Sequence, residues 1–432
     1  MTLKSFWAHR KQNGWLLVEI ALVAVLSFYF IDHCVVVGYD TYICRASGDF
    51  EKKHLVTGFV GNLPGAPAST DSASMFGPVY ALRDHIRKLP EVQSVCITNS
   101  FIGDHSQDWT TMELYAEADT MRRGKAYLHQ FLVGEHYFET HGLTAATGSP
   151  GIETLSEGCP EDGVIITRSL ARAIFDTDQA VGRRIVLVTY NPRSNSRDEA
   201  ETRHRKVFGV VEDVKAMPNQ RYFYSIFTPT TLWGSSPQML IRLKPDANAK
   251  AFIAKNSTKE GFIQEGYKAL VQLKTYKEYK NEDPNFTSQY ILLNIIGLFL
   301  GLFLVNVVIG TLGTYWLQIR KRTEDFGIMR SFGAKRRNIF GMVWKEVALL
   351  TLIACIIGQV LWLQVALRVG FANGLNEIKT GQESDWVTSF WPHFFVVCGV
   401  QYLVLLAIVT LGIIIPALIA MYRKPVNALR HE

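Results

Sequence analysis

Residues 290–319 read YILLNIIGLFLGLFLVNVVIGTLGTYWLQI, thirty residues without one charged side chain. A helix of about 20 apolar residues crosses the hydrocarbon core of a bilayer, and a helix buried in a soluble protein is rarely apolar on every face for so long. The stretch therefore predicts a membrane-spanning helix. Counted from Ser288 to Ile319, this helix would be about 48 Å long, against a core about 30 Å thick. We expect it to project from the membrane as a stalk.

Three further stretches have the same character, at residues 15–38, 343–369 and 391–421. Only 19% of the 432 residues are charged, below the roughly 25% of a soluble domain. The first stretch could instead be a cleaved signal peptide, since the basic residues Lys4 and Arg10 precede it. Its apolar run is too long for that and no small-x-small cleavage site follows, so we interpret it as a retained anchor.

Lysine and arginine are distributed unevenly among the loops. Between the second and third stretches lie Arg320, Lys321, Arg322, Arg330, Lys335, Arg336 and Arg337. Because loops rich in Lys and Arg stay on the cytoplasmic side, both termini are predicted to be cytoplasmic, with residues 39–287 outside. The net charge of +6 comes from residues that flank apolar stretches, so no nucleic-acid partner is predicted.

These observations predict four transmembrane helices plus a large α+β extracytoplasmic domain. In chain order the parts are a cytoplasmic interfacial helix (1–14), the first span (15–38), the periplasmic domain (39–287), the second span with its stalk (288–319), a cytoplasmic coupling segment (320–342), the third span (343–369), a short periplasmic loop (370–390), the fourth span (391–421) and a cytoplasmic tail (422–432). Ionisable residues within spans are expected only in the first span, at Glu19, Asp32 and His33.

The external domain is predicted from an irregular alternation of helices and strands. Helices are expected at 76–89 and 169–175, the latter with Thr167 as N-cap, and residues 191–205 are expected to form a polar loop or hairpin. The expected strands are 92–99, 163–166, 182–189, 207–211 and 239–243. No hydrolase, protease or paired-carboxylate motif occurs, so no enzymatic activity is expected. Ordinary histidines are favoured over a metal site at His129, His136 and His141, and no cofactor is predicted.

The chain has six cysteines, and none forms a C-x-x-C pair, which argues against a zinc or redox motif. Cys355 and Cys398 lie in apolar runs and are expected to be packing residues. Four cysteines would face an oxidising compartment, where a disulfide could form among them, and the sequence favours no pairing: Cys34, Cys44, Cys96 and Cys159. No G-x-x-x-x-G-K-[ST] pattern occurs, so this chain has no P-loop of its own for ATP phosphates.

The coupling segment carries a family pattern. Residues 322–339 read RTEDFGIMRSFGAKRRNI and resemble the signature R-T-x-E-I-G-I-x-R-A-L-G-A-x-x-x-x-I of the FtsX-like and MacB-like permease family, also called type VII ABC systems. The matching positions are Arg322, Gly327, Ile328, Arg330, Gly333, Ala334 and Ile339. Asp325 stands where the family usually has Glu, with Glu324 beside it, so the acidic charge is kept with a shorter reach.

Two other regions share this resemblance. The end of the chain, Pro416-Ala417 followed by Pro425-Val426-Asn427-Ala428-Leu429-Arg430, is similar to the family ending P-A…P-V-x-A-L-R. The external domain resembles the MacB-type periplasmic domain at residues 136–140, 164–175, 181–185 and 209–213.

The resemblance implies a non-catalytic permease subunit that works with a separate cytoplasmic ABC ATPase and with a second four-span subunit, identical or paralogous. Closure of the ATPases on nucleotide would move the coupling segment, then the second span and the external domain, which is called mechanotransmission. The residues predicted to couple to the ATPase are Arg322, Glu324, Asp325, Gly327, Arg330, Gly333, Ala334, Arg336 and Arg337. Efflux or envelope transport is the favoured role, with a periplasmic adaptor as a further partner.

Alternatives remain open. The chain could be a regulatory subunit, as FtsX-like proteins are in activating cell-wall hydrolases, or a membrane sensor without any ATPase. The coupling segment could also be a plain basic loop whose only partner is anionic membrane lipid. Gly297 and Gly301 form a G-x-x-x-G pair, which predicts helix packing on a second protomer.

Overall fold

The computed structural model describes residues 10–42, 54–65, 72–99, 101–102, 111–189, 201–215, 224–231, 237–256, 263–282, 284–369, 386–387 and 389–422. The chain divides into two compact units. The helical unit comprises Met1–Val36, Gln289–Asn376 and Ser384–Glu432, and the α+β unit comprises Val37–Ser288 and Glu377–Glu383. Residues 1–9, Cys44, residues 191–200, most of the 370–390 loop and the tail from residue 423 lie outside the described residues.

Most of the described residues of the helical unit lie in helices. In chain order the described helices are α1 (Arg10–Tyr42), α2 (Ser72–Arg87), α3 (Tyr137–His141), α4 (Ile152–Glu157), α5 (Arg168–Phe175), α6 (Ala249–Asn256), α7 (Tyr276–Glu282), α8 (Pro284–Lys321), α9 (Thr323–Ser331), α10 (Arg336–Val369) and α11 (Phe390–Tyr422). Four helices are long and apolar enough to cross a membrane, over Gly14–Tyr39, Gly297–Lys321, Arg336–Arg368 and Phe390–Ile419. The prediction of four membrane spans is confirmed.

The α+β unit contains two sheets. Its strands are β1 (Leu55–Asn62), β2 (Val92–Thr98), β3 (Thr111–Ala116), β4 (Asp119–Leu132), β5 (Gly163–Thr167), β6 (Arg184–Thr189), β7 (Glu201–Val211), β8 (Ser225–Thr230), β9 (Gln238–Leu243), β10 (Gln264–Glu265) and β11 (Lys268–Thr275). One sheet has the order β10-β11-β1-β9-β2, and the other closes into a barrel with the order β3-β4-β8-β5-β7-β6. The α+β class predicted for this unit is confirmed.

Apolar side chains at helical spacing hold a helix onto each sheet. Val79, Leu82 and Ile86 on α2 are fully buried in a core shared with the open sheet. Leu170 and Ile174 on α5 are buried in the core of the barrel. Burying one such side chain contributes about 1.5–3 kcal/mol, so these few residues fix both helices.

From Glu201 onward, the segment 191–205 that was expected to be a loop or hairpin forms one arm of an antiparallel hairpin, and the strand predicted at 207–211 begins earlier than expected. Strand β7 begins at Glu201 and pairs antiparallel with β6, from Thr189↔Glu201 to Arg184↔Lys206. Thr202, Arg203 and His204 are exposed. Backbone pairing rather than apolar burial therefore forms this part of the strand, and it leaves no hydropathy pattern in the sequence.

The N-cap predicted at Thr167 is replaced by a different contact. Thr167 precedes α5 but makes no side-chain cap, because its hydroxyl instead accepts from the Ser225 N–H over 3.1 Å. The Asp213 carboxylate accepts from the Ser169 N–H over 2.9 Å and satisfies that helix terminus. A carboxylate distant in sequence thus replaces the local cap.

Two glycines bring span helices into close contact. A Cβ on Gly358 of α10 would lie 2.7 Å from the Ala24 Cβ of α1, and one on Gly412 of α11 would lie 2.9 Å from the Val308 carbonyl oxygen of α8. Small residues at such crossings let helices pack closely.

Polar side chains join three of the span helices. Gln401 of α11 donates to the Ala24 carbonyl oxygen and, over 3.0 Å, to the Ser27 hydroxyl, both on α1. Gln359 of α10 donates to the Gln401 side-chain oxygen over 3.0 Å. These bonds satisfy groups that lipid cannot satisfy.

The expectation that ionisable residues are confined to the first span is wrong. Glu346 lies 3% exposed in the third span and His393 lies 1% exposed in the fourth. Glu346 pairs with Arg322 and His393 pairs with Asp32. Pairing lowers the cost of a charge at membrane depth, and it depends on partners that are far apart in the sequence.

Candidate coupling site

The short helix α9 lies between two span helices and is fixed at both ends. Arg322 alone separates it from α8. At its other end the Ala334 N–H donates to the Met329 carbonyl oxygen over 3.0 Å, and Gly333 has φ 89°. Only glycine adopts this left-handed conformation without strain, and it is the usual way in which a helix ends.

Arg322 faces inward from this junction. Its Nη1 donates to Glu346 Oε2 of α10 over 3.0 Å, and its Cζ lies 5.6 Å from the centre of the Phe326 ring. The two charged side chains are 15% and 4% exposed. Because removal of one partner would leave the other charged group buried without this ion pair, at a cost of about 3–5 kcal/mol, the pair holds the start of α9 on α10.

Two further arginines contact the end of α11. Arg330 of α9 donates from Nη1 to the Met421 carbonyl oxygen over 3.2 Å. Arg336 of α10 lies over the Tyr422 ring, with Cζ 4.7 Å from its centre. A cation at a helix C-terminus is favoured by the helix dipole, and a cation over an aromatic face adds a cation–π contact. The coupling segment is therefore attached to the fourth span as well as the third.

The outer face of α9 combines acidic and apolar side chains. Glu324 and Asp325 lie in its first turn and are exposed, where the helix dipole favours carboxylates. Ile328 is 45% exposed and Phe332, just past the helix, is 87% exposed. Positions four residues apart share one helix face, so Glu324, Ile328 and Phe332 point to the same side.

The structure divides the predicted coupling residues by location. The inward group, which packs on the rest of the unit, is Arg322, Gly327 and Arg330, whereas Arg336 is exposed and lies over the Tyr422 ring. Gly333 and Ala334 form the turn after α9, and Arg337 is exposed at the start of α10. The outward group is Glu324 and Asp325, joined by Ile328 and Phe332. The sequence prediction did not list Ile328 and Phe332 among the coupling residues, although a large aromatic before a glycine in a charged segment was a usable signal.

The G-x-x-x-G glycines of α8 face different surroundings. A Cβ on Gly297 would lie 3.2 Å from the Phe30 ring of α1, whereas one on Gly301 would meet nothing within 4 Å. Gly297 therefore has an intramolecular neighbour, and Gly301 stays a predicted contact for a second protomer.

Histidines and cysteines of the α+β unit occupy structural positions. Nε2 of the buried His141 accepts from the Ile102 N–H over 3.3 Å, and His129 lies 3.3 Å from the Ser225 hydroxyl. Among the described residues, no group of three or more His, Cys, Asp or Glu side chains is placed to hold a metal ion. Burial raises the pKa of the Cys159 thiol to about 12, and the described cysteines are unbonded, Cys34, Cys96, Cys159, Cys355 and Cys398.

Four membrane-crossing helices, with an α+β unit between the first and second in the chain and a short helix between the second and third, define a multi-span membrane protein. Residues 297–425 match the model of the FtsX-like permease C-terminal family. This match confirms the family resemblance of the coupling segment.

Comparisons over other parts of the chain are weaker. Similar solved structures include the periplasmic region of MacB from Actinobacillus actinomycetemcomitans, 16% identical, covering 53% of this chain and 91% of that one, with a TM-score of 0.28. Another is the extracellular domain of the noncanonic ABC-type transporter YknZ from Gram-positive bacteria. It is 11% identical, the match covers 50% of this chain and 100% of that one, and the TM-score is 0.26. No functional inference follows from likenesses at this level. No match was found among curated proteins.

Proposed function

We propose that this chain is the permease subunit of a type VII ABC system, and that a separate cytoplasmic ATPase moves it through α9. The observation that carries the proposal is the difference between the two faces of α9, one attached to the span helices and one exposed. On one side Arg322 and Arg330 attach it to α10 and α11. On the other, Ile328 and Phe332 are exposed. A loop that only connects two spans has no need of an exposed aromatic side chain beside a rigid turn.

The exposed face suits a groove on a partner protein. Phe332 is an aromatic anchor of the kind that dominates binding energy at interfaces, and Ile328 extends the apolar contact by one helical turn. Glu324 and Asp325 would meet basic residues at the rim of the groove. This is helix-in-groove recognition, with ATP bound and hydrolysed entirely on the partner.

Movement of α9 would reach three span helices at once. Its first residue follows α8 after Arg322 alone, the Arg322–Glu346 pair acts on α10, and Arg330 acts on the end of α11. Because separating a buried ion pair is costly, we expect a push on α9 to tilt these helices rather than pull the segment away from them. The continuous helix α8 then transmits the motion along its length.

The membrane location, the orientation and the partners of the chain are part of the same proposal. We place the chain in a bacterial inner membrane, with α9 and both termini in the cytoplasm, because the coupling segment is rich in Lys and Arg. The α+β unit would lie in the periplasm and act on envelope partners, such as an adaptor for efflux. A second four-span subunit completes the assembly. The competing role, regulation of cell-wall hydrolases, differs only in the external partner.

Copurification tests the proposal. Tagged full-length chain, solubilised gently from its native membrane, is expected to bring down a protein with a P-loop. Phe332→Ala should lower the recovered ATPase about tenfold or more, as expected when an interface anchor is truncated.

Met121→Ala is the matched control, since Met121 is a similarly exposed apolar residue, at 89%, on β4 of the α+β unit. It should leave ATPase recovery unchanged. If the wild-type chain recovers no P-loop protein, or if Phe332→Ala and Met121→Ala behave alike, α9 is not the docking element. External proteins crosslinked to the α+β unit would separate an adaptor from a hydrolase.

A further inference from the structure

The hydroxyl of Tyr315 on α8 is buried among the span helices without a hydrogen-bond partner among the described residues. The side chain is 1% exposed, so water does not reach the hydroxyl either. A hydroxyl that is neither bonded nor hydrated costs free energy, whereas phenylalanine would fill the same space without this cost. The hydroxyl therefore needs an explanation outside the present arrangement of the helices.

Two charged side chains lie within electrostatic reach of this hydroxyl. Glu346 of α10 and Arg322 both interact electrostatically with Tyr315. The Arg322 N–H donates to the Gln318 carbonyl oxygen over 3.0 Å, so the helical hydrogen-bond pattern continues past the end of α8. Tyr315, Ile319 and Arg322 follow one another at spacings of four and three residues, and they therefore share one side of this helix.

Glu346 faces the same core from α10. It stands in a row of buried side chains spaced by four, three and four residues: Ile339, Val343, Glu346 and Leu350. The three apolar members of this row belong to the same hydrophobic cluster as Tyr315. A carboxylate in such a place needs a countercharge or hydrogen-bond donors in every arrangement of the helices, because a charge away from water is otherwise costly.

Arg322 is a partner of Glu346 that movement of α9 would withdraw. It is the single residue between α8 and α9, and its Nη1 donates to Glu346 Oε2 over 3.0 Å. The arginine side chain is 15% exposed against 4% for the glutamate, so the arginine has the shorter way to solvent. A displacement of α9 that turns this junction would draw the guanidinium outward and leave the carboxylate in the core.

We propose that Tyr315 is the alternative partner of Glu346, and that its hydroxyl donates to the carboxylate when movement of α9 withdraws Arg322. A hydrogen bond from a hydroxyl to a carboxylate is stronger than one between neutral groups, and it offsets part of the cost of losing the ion pair. The bundle then has two arrangements between which α9 can move. The inference rests on the proposed function and adds a positioning residue to it, since the buried Tyr315 acts through Glu346.

Thermal unfolding of the full chain and three variants in detergent tests this exchange of partners. With Arg322 present, Tyr315→Phe should leave the thermal midpoint unchanged or raise it, because the hydroxyl makes no hydrogen bond. In the Arg322→Met background Glu346 has lost the arginine and takes the tyrosine hydroxyl instead. Adding Tyr315→Phe to that background should lower the midpoint by about 3 °C or more. The effect of one substitution thus changes with the other.

Tyr402→Phe is the matched control for the loss of a tyrosine hydroxyl. The Tyr402 hydroxyl of α11 donates to the Ala348 carbonyl oxygen of α10 over 3.5 Å, a bond that does not involve Glu346. Its effect on the midpoint should therefore be the same with Arg322 and with Arg322→Met. The proposal is overturned if Tyr315→Phe also has equal effects in both backgrounds, or if it lowers the midpoint only where Arg322 is present.

Measurements on the copurified ATPase separate this inference from the proposed function. Tyr315→Phe should leave ATPase recovery unchanged, since the buried hydroxyl is no part of the exposed face of α9. It should lower ATP hydrolysis by the recovered complex about fivefold, the effect of one lost hydrogen bond. Undiminished hydrolysis contradicts the exchange but not ATPase docking. Recovery of no ATPase contradicts the proposed function, and the stability comparison with Arg322→Met still decides whether Tyr315 and Glu346 become partners.

Discussion

Asp32 Oδ1 of α1 lies 2.6 Å from His393 Nε2 of α11, and both side chains are almost completely buried. The Trp386 ring stacks on the His393 ring with centres 6.1 Å apart. The pair joins the first span to the fourth, which is the helix that Arg330 contacts at its other end. Contacts therefore link α9 to α11 and α11 to α1, in addition to the chain connection between α8 and α9.

We expect loss of either partner of the Asp32–His393 pair to destabilise the bundle by about 3–5 kcal/mol, because the other would remain buried without it. Asp32→Ala and His393→Ala should each lower the thermal midpoint in detergent. The exchanged variant, with Asp32→His and His393→Asp, should recover part of the loss. Leu403→Ala is the control, since Leu403 is 64% exposed. Additive single effects with no recovery would show that the pair is not an interacting unit.

The Arg322–Glu346 pair should behave differently from the exposed charges of α9. Glu346→Ala would leave Arg322 buried, and the expected loss of stability is about 3–5 kcal/mol. Replacing both, with Arg322→Met and Glu346→Leu, should restore most of it, since apolar residues of similar volume often replace buried ion pairs well. Glu324→Ala should stay within about 0.5 kcal/mol. Thermal unfolding in detergent measures all three, and a double variant as unstable as Glu346→Ala would refute the pairing argument.

Gly333 is expected to be intolerant of alanine. Its φ of 89° makes a Cβ cost about 1–2 kcal/mol, which would loosen the turn between α9 and α10. Gly341→Ala is the matched control, because Gly341 lies inside α10 with nothing within 4 Å of an added Cβ. There alanine should be neutral or stabilising by about 0.5–1 kcal/mol. ATPase recovery and thermal midpoint should both fall only for Gly333→Ala, and equal effects of the two substitutions would contradict the geometry.

The α+β unit should lose stability in mild acid because of His141. Burial lowers the pKa of this histidine from about 6.5 to about 3. The unfolded chain therefore binds a proton below pH 6.5 that the folded chain does not, and stability falls as the pH drops from 6.5 toward 3. The slope is up to about 1.4 kcal/mol per pH unit.

Urea unfolding of the full chain in detergent, followed by the loss of β-sheet circular dichroism, measures this dependence. His141→Gln should be less stable than wild type at pH 7.5 but should lose less between pH 6.5 and 4. His204→Gln is the control, because that side chain is 60% exposed and surface pairs contribute little. An unchanged acid slope in His141→Gln would place the effect elsewhere.

The sequence predicted the elements that leave a hydropathy pattern among neighbouring residues. The spans follow from uninterrupted apolar runs, and helix α2 follows from Val79, Leu82 and Ile86 at helical spacing. The start of β7 was missed because Thr202, Arg203 and His204 are held by pairing with β6 rather than by burial. The cap of α5 was misassigned because Asp213, 44 residues after Ser169, supplies it.

For the candidate site, the sequence by itself determined where a basic, glycine-containing segment lies between two spans, since hydropathy and charge are properties of neighbouring residues. The tertiary structure alone decided which of its residues face inward. Arg322 and Arg330 were predicted to be coupling residues, which stays a prediction, and the structure pairs them with Glu346 and the Met421 carbonyl oxygen. Phe332 became a contact candidate only once its exposure was known. The physical reason is that burial and pairing depend on helices brought together by packing, which no single stretch of chain specifies.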